Sequence, residues 1–115
     1  MTVSNGRAVP VSDLVISDTS RAIEVIHHPS ERFYELLDDG MSVALLVYEQ
    51  TPRQTAITHA TVREDRRGHG LGTTLIATAL PDLVMPGRMI DNYCNSVARF
   101  LDKHPDYKRF VNPER

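Results

Sequence analysis

The densest chemistry in this sequence lies in Val62-Arg63-Glu64-Asp65-Arg66-Arg67-Gly68-His69-Gly70-Leu71-Gly72-Thr73, which joins a strand pattern to the start of an amphipathic helix pattern. The first N–H groups of a helix have no partner within it, and the macrodipole adds partial positive charge there. Gly68, Gly70 and Gly72 remove Cβ atoms that would hold a ligand's phosphates away from such amides, and Arg66 and Arg67 can add charge-assisted hydrogen bonds. These residue types at this spacing describe an anion site. No Gly-Lys-Ser or Gly-Lys-Thr follows, so the segment is not a nucleotide P-loop, and no acidic strand end completes a dinucleotide fingerprint. A pyrophosphate is the anion that fits best. The competing reading gives the glycines tight turning and close packing alone.

Two side chains suit acyl transfer. Cys94, the single cysteine, precedes a short helix pattern, where unpaired N–H groups favour a nucleophilic thiolate; the alternative is a small buried hydrophobe. His59 lies mid-strand and is suited to removing a proton from an amine or from Cys94, or else is a hydrogen-bonded core histidine. His69, inside the glycine run, faces solvent or phosphate. His104 suits capping a helix end better than catalysis, and His27-His28 beside Pro29 reads as a strand end with little prospect of holding metal. Tyr93 is a packing aromatic or a proton donor to a departing thiolate, and Tyr107 reads as packing beneath the site. Asp38-Asp39, Glu64-Asp65 and the pair Asp102 and Asp106 are explained by a turn, by solvent exposure and by helix-end polarity.

The elements that hold these residues follow from period and punctuation. Ala22 to His27 reads as a strand stopped by His28-Pro29-Ser30, because proline cannot donate to a ladder. Phe33–Leu37 and Met41–Tyr48 pair antiparallel around Asp38-Asp39-Gly40, and the second strand is apolar on both faces. Thr55–Val62 is a fourth strand. Leu71, Leu75, Ile76, Ala79, Leu80 and Leu83 recur at helical spacing, with Pro81 ending the helix near Leu80 or kinking it there. Arg88–Tyr93 is a short strand, and Ser96–Lys103 a short helix with Val97, Phe100 and Leu101 inward. Residues 1–18 show no sustained period and read as an extension, loose or lying over the domain. Residues 19–115 then form one mixed α/β domain in the order β-β-β-β-α-β-α.

Composition narrows the class further. With 115 residues, 41% hydrophobic and 24% charged, one core is expected, and collagenous or disordered classes are excluded. A formal charge of -2 lacks the field that nonspecific nucleic-acid binding needs. The longest apolar run, Val43 to Tyr48, has six residues against roughly 20 for a membrane-spanning helix, and the polar N-terminus resembles no leader. One cysteine allows no internal bridge and no multi-cysteine zinc site. The expectation is a cytoplasmic protein without metal.

Arg67-Gly68-His69-Gly70-Leu71-Gly72 resembles the signature of the GNAT superfamily of acetyl-CoA-dependent acetyltransferases: Arg or Gln, two residues, Gly, one residue, Gly or Ala. More narrowly, Tyr34-Glu35-Leu36-Leu37, Asp39-Gly40, Thr58-His59, Val62, Cys94 and His104-Pro105-Asp106-Tyr107 make residues 21–111 similar to its small stand-alone, YjdJ-type branch. The resemblance implies a mostly antiparallel sheet splayed open beside the fourth strand, with pantetheine in the cleft. It implies that amides of Arg67, Gly68, His69, Gly70, Leu71, Gly72 and Thr73 hold the pyrophosphate, that the strand ending at Val62 bonds the pantetheine amides, and that the thioester lies near His59 and Cys94. Asn95-Ser96 and Asp91-Asn92-Tyr93 depart from the residues found around this cysteine in related small members. The implied activity is transfer of acetyl from acetyl-CoA to an amine, directly or through Cys94. A CoA or acyl-CoA-binding module without turnover is the second reading, and a small interaction domain with a structural glycine loop the third.

Overall fold

The computed structural model of the chain describes residues 6–11, 22–84 and 89–113. Its sheet is organised around a hairpin. β3 (Phe33–Asp38) and β4 (Met41–Gln50) meet at Asp39 and Gly40, whose φ values of 52° and 84° match the two-residue turn that suits strand twist. The Asp39 carboxylate also accepts the Ala22 N–H at 3.0 Å, fixing the entry to β2 (Ile23–His28). β2 pairs antiparallel with β3, and β5 (Thr55–Val62) antiparallel with β4. β1 (Arg7–Val9) lies antiparallel on the outer edge of β2, and β6 (Ile90–Asn92) runs parallel to β5. The result is one six-stranded sheet in the order β1-β2-β3-β4-β5-β6, within a mixed α/β domain.

One face of that sheet is covered by helix. α1 (Leu71–Leu83) lies across β3, β4 and β5, and α2 (Asn95–Lys103) packs against β5 and α1. Val25, Tyr34, Leu36, Ala44, Leu46, Tyr48 and Ile57 meet Leu75, Ile76, Ala79, Leu80 and Leu83, all buried, with Val97, Phe100 and Leu101 closing the core from α2. Each large apolar side chain so buried contributes about 1.5–3 kcal/mol. A 3-10 helix (Pro105–Phe110) folds the chain back, and the Asn112 N–H bonds the Ile90 carbonyl at 2.8 Å.

Several expectations shift in detail. Residues 7–9, inside the segment read as lacking an element, form β1, with Val9 6% exposed. A three-residue strand has no period to detect; it forms because β2 offers a free ladder edge. The rest of residues 1–18, apart from Gly6, Pro10 and Val11, lies outside the described residues. The short strand expected from Arg88 to Tyr93 spans Ile90–Asn92, and Arg88 lies outside the described residues. Pro81 neither stops the helix near Leu80 nor prevents a regular last turn: α1 runs through it to Leu83, and the Val84 N–H still reaches the Leu80 carbonyl at 3.2 Å. That turn is anchored from outside by Asp82, which accepts the Tyr34 hydroxyl at 2.6 Å.

The opening in the sheet has a local cause. Between Ile57 and His59, β5 carries one residue more than β4, so Thr58 is a bulge opposite Val47 and Tyr48. Bulges bend a strand and increase its twist. β5 and β6 pair only over Thr55–Ile57 and Ile90–Asn92, ending with the Tyr93 N–H on the Ile57 carbonyl at 2.9 Å. Beyond the bulge the two segments part.

Candidate active site

The parting of β5 from the chain after β6 produces a cleft of about 520 Å³, within the range of ligand-sized pockets. Ala60, Thr61 and Val62 of β5 form one wall, Arg67, Gly72 and Thr73 one end, and Ser96, Arg99, Phe100 and Lys103 of α2 the facing wall. The Arg63 N–H donates to the Val43 carbonyl at 2.8 Å, so two-residue alternation turns the backbone of Thr61 toward β4 and that of Ala60 and Val62 toward the cleft. In agreement, the Val62 carbonyl accepts from Arg67 Nε at 3.2 Å. Apart from the Val62 carbonyl, which Arg67 engages, the open edge of β5 presents peptide groups available to a bound amide.

At the end of the cleft the glycines divide their work. Gly68 and Gly70 hold φ of 84° and 77°, conformations that L side chains rarely adopt. Gly72 instead allows close packing: a Cβ there would lie 3.1 Å from Val62 Cγ2. Gly70 caps α1 in the left-handed conformation with no capping side chain, and no acidic residue stands in the first turn. The first backbone bond back into the helix is Thr74 N–H to Gly70 carbonyl, 3.0 Å. The amides of Leu71, Gly72 and Thr73 therefore precede the helical ladder and meet no capping carboxylate. Leu71 itself is 5% exposed and anchors the turn in the core.

The two arginines separate. Arg66 belongs to a 3-10 turn (Glu64–Arg66) and places Nη1 2.9 Å from Oδ2 of Asp38, which is 4% exposed. This corrects one expectation: Arg66 is not free to add charge to an anion at the loop, because its guanidinium pairs with a buried carboxylate. Asp38, explained from sequence by the turn, also anchors the loop. Arg67 lines the cleft. So do Arg99 and Lys103, one helical turn apart on α2, and His104, the C-cap of that helix. Among the described residues no carboxylate lines the cleft.

A pyrophosphate-bearing ligand fits this arrangement: uncapped helix amides, cations at the end and on the α2 wall, and no competing carboxylate among the described residues. Arg67, Gly68, His69, Gly70, Leu71, Gly72 and Thr73 stand together at one end, with Val62 beside them. His69 is exposed, and Gly68 would meet nothing within 4 Å even with a Cβ.

The two residues expected from sequence to serve acyl transfer are arranged differently. Cys94 caps α2 and is 8% exposed; Asn92 brackets its backbone, Oδ1 accepting the Cys94 N–H and Nδ2 donating to the Cys94 carbonyl, each at 3.0 Å. His59 is exposed on β5, with Nδ1 3.2 Å from its neighbour Thr58 Oγ1, and makes no hydrogen bond to Cys94. It is not a core histidine. The bulge at Thr58 sets its direction. Tyr93, next to Cys94, is 70% exposed and so is not a packing aromatic, while Tyr107 packs edge-on against the cleft residue Phe100 at 5.0 Å. Neither Cys94 nor His59 lines the cleft itself.

A second polar cluster escaped sequence reasoning. At the far end of α1, Asp82 accepts Arg7 Nη2 at 2.8 and 3.1 Å and the Tyr34 hydroxyl at 2.6 Å. His27, taken from sequence as a strand end, stacks on Tyr34 with centroids 4.1 Å apart and places Nε2 2.6 Å from the Tyr48 hydroxyl. Its Nδ1 lies 3.2 Å from Arg7 Nη2, which can only donate, so the network assigns the proton to Nε2. Burial disfavours the imidazolium and lowers the His27 pKa, against the attraction of Asp82. Burial likewise raises the Tyr48 and Tyr34 hydroxyls, the second helped by its bond to Asp82. Every member is satisfied within the fold. Only the pairing of β1 with β2 brings Arg7 there, and no local spacing announces it.

No described helix is long and apolar enough to cross a membrane. No curated protein matches the chain. A family model described as GCN5-related N-acetyl-transferase matches residues 32–110, which take in the hairpin, the bulged strand, the glycine loop, α1 and α2. With well over half of its length matched, the chain belongs to the GCN5-related N-acetyltransferase family.

Proposed function

We propose that this protein is an acetyl-CoA-dependent N-acetyltransferase of the small stand-alone, YjdJ-type branch, working in the cytoplasm on an amine acceptor. The observation that carries the reading is the uncapped start of α1, opening into a carboxylate-free cleft beside an unpaired strand edge. Amides of Leu71, Gly72 and Thr73, with Arg67, hold the pyrophosphate; the peptide groups of Ala60 and Val62 orient the pantetheine arm. Orientation of this kind supplies much of the rate in acyl transfer, because it converts a bimolecular encounter into a positioned one.

The thioester lies beside the bulge, between His59 and Cys94. In the direct route the amine nitrogen attacks the thioester carbonyl, the C–S bond breaks, His59 receives the amine proton and the thiolate leaves with CoA. In the covalent route the Cys94 thiolate takes the acetyl first, CoA thiolate departs, and the amine then attacks the acyl-cysteine, restoring the thiol. The exposed imidazole favours the direct route. The 8% exposure of Cys94, and the absence of a bond from His59 to it, support a second reading: a module that binds acyl-CoA without turnover.

Incubation with acetyl-CoA and a panel of amines, followed by measurement of released thiol, separates these readings. Acetyl-dependent thiol release that falls at least tenfold in His59→Ala supports direct transfer. An acetyl adduct in intact mass that disappears in Cys94→Ala supports the covalent route. Calorimetric binding of CoA with no release across the panel supports the module.

A further inference from the structure

We propose that Arg99 and Lys103 of α2 form a phosphomonoester subsite that reads the 3′-phosphate on the adenosine of the cosubstrate. The inference rests on the cofactor reading of the cleft and adds its second wall.

Arg67 and the amides at the start of α1 account for a pyrophosphate at one end of the cleft. They leave two cations on the opposite wall unexplained. Arg99 and Lys103 stand at i and i+4, so both project from one stripe of α2, and Ser96 continues that stripe inward, 3.4 Å from Arg99 Nη2. Neither is ion-paired with a carboxylate among the described residues, in contrast to Arg7, Arg63 and Arg66, which are. Both are exposed.

Helix polarity makes the assignment sharper. This part of α2 is its C-terminal half, where free carbonyls and the negative end of the macrodipole repel anions. Backbone cannot recognise phosphate there, so side-chain charge must. A guanidinium offers a planar fork to phosphate oxygens, and an ammonium four residues on offers a point charge. A phosphomonoester carries about -1.5 to -2 charge near neutral pH, more than each phosphate of a diphosphate diester, and is the group that two adjacent cations suit. The same chemistry could come from any ribose monophosphate. The cosubstrate is favoured because the stripe lines the same cleft as Arg67, Gly72 and Thr73.

The test compares CoA with 3′-dephospho-CoA by calorimetric titration of the full chain, wild type and the Arg99→Gln, Lys103→Gln double variant, with circular dichroism confirming the fold. Charge-assisted bonds of this type correspond to roughly tenfold or more in affinity. CoA should bind wild type at least about tenfold more tightly than 3′-dephospho-CoA, and the double variant should bind the two alike, at the wild-type affinity for 3′-dephospho-CoA. Equal affinities in wild type, or discrimination retained in the folded double variant, overturn the subsite and leave the cofactor cleft standing. Binding of neither ligand to wild type overturns both. Titration with adenosine 3′-monophosphate alone reports whether the subsite acts without the rest of the ligand: binding weakened in the double variant supports it, and binding equal in the two proteins counts against it.

Discussion

The two ends of α1 treat charge in opposite ways. At its last turn, Asp82 sits where the macrodipole disfavours a carboxylate, and is held by Arg7 and by the Tyr34 hydroxyl, while His27 and Tyr48 complete the network around it. At its first turn, among the described residues, no acidic residue, capping side chain or lining carboxylate answers the first amides. One end is satisfied by the fold and serves stability. The other has no capping side chain and no acidic residue in its first turn. A helix N-terminus is common; this one has no capping side chain and stands at the end of a cleft lined by Arg67, Arg99 and Lys103.

Removing the anchor at the closed end should have the largest effect. Asp82→Ala leaves the buried Tyr34 hydroxyl without its acceptor and should lower stability by about 2–3 kcal/mol in urea unfolding. CoA affinity in the folded fraction should stay the same, and a parallel loss of affinity would break the separation of the two ends. The converse change is Gly70→Val, which forces a β-branched residue to φ near 77° at a cost of about 1–2 kcal/mol and reshapes the amide cradle. CoA affinity should fall at least about tenfold by calorimetry; unchanged affinity in a folded variant contradicts the placement. Arg67→Gln removes one exposed cation and should weaken CoA by about threefold to fivefold without changing the unfolding midpoint. The smallest effect concerns pH. His27 binds protons less readily folded than unfolded, so between its lowered pKa and its ordinary value near 6.5 the unfolded chain holds more protons. Its contribution is present above about pH 6.5 and is lost as pH falls below that value; His27→Gln should flatten this part of the stability curve, measured by unfolding at pH 7.5 and pH 5.5.

The open end was the legible one. Local chemistry wrote it: a strand pattern ending at Val62, glycines before a helical period, and a turn at Asp39-Gly40 whose residues tolerate positive φ. The closed end depends on partners far apart in sequence, since Arg7, His27 and Asp82 meet only through strand pairing and helix packing. Sequence reading also gave Arg66 and Arg67 the same role, and only the burial of Asp38 separates them. Pro81 read as an end or a kink because its rule is local; the helix runs on to Leu83, and Asp82, one residue after the proline, is tied to Tyr34, 48 residues distant in the chain. His59 was visible as mid-strand, but the Thr58 bulge that sets its exposure arises from register with β4, which no run of side-chain types encodes. The cations of α2 sat in plain view on a short amphipathic helix, yet nothing local tells a cleft wall from a solvated face.

The most direct test is a crystal structure of the chain with acetyl-CoA. The pyrophosphate should accept hydrogen bonds from the amides of Leu71, Gly72 and Thr73, with the pantetheine arm along Ala60 and Val62. A cosubstrate bound elsewhere, or a cleft left empty at saturating concentration, would contradict the account at its root.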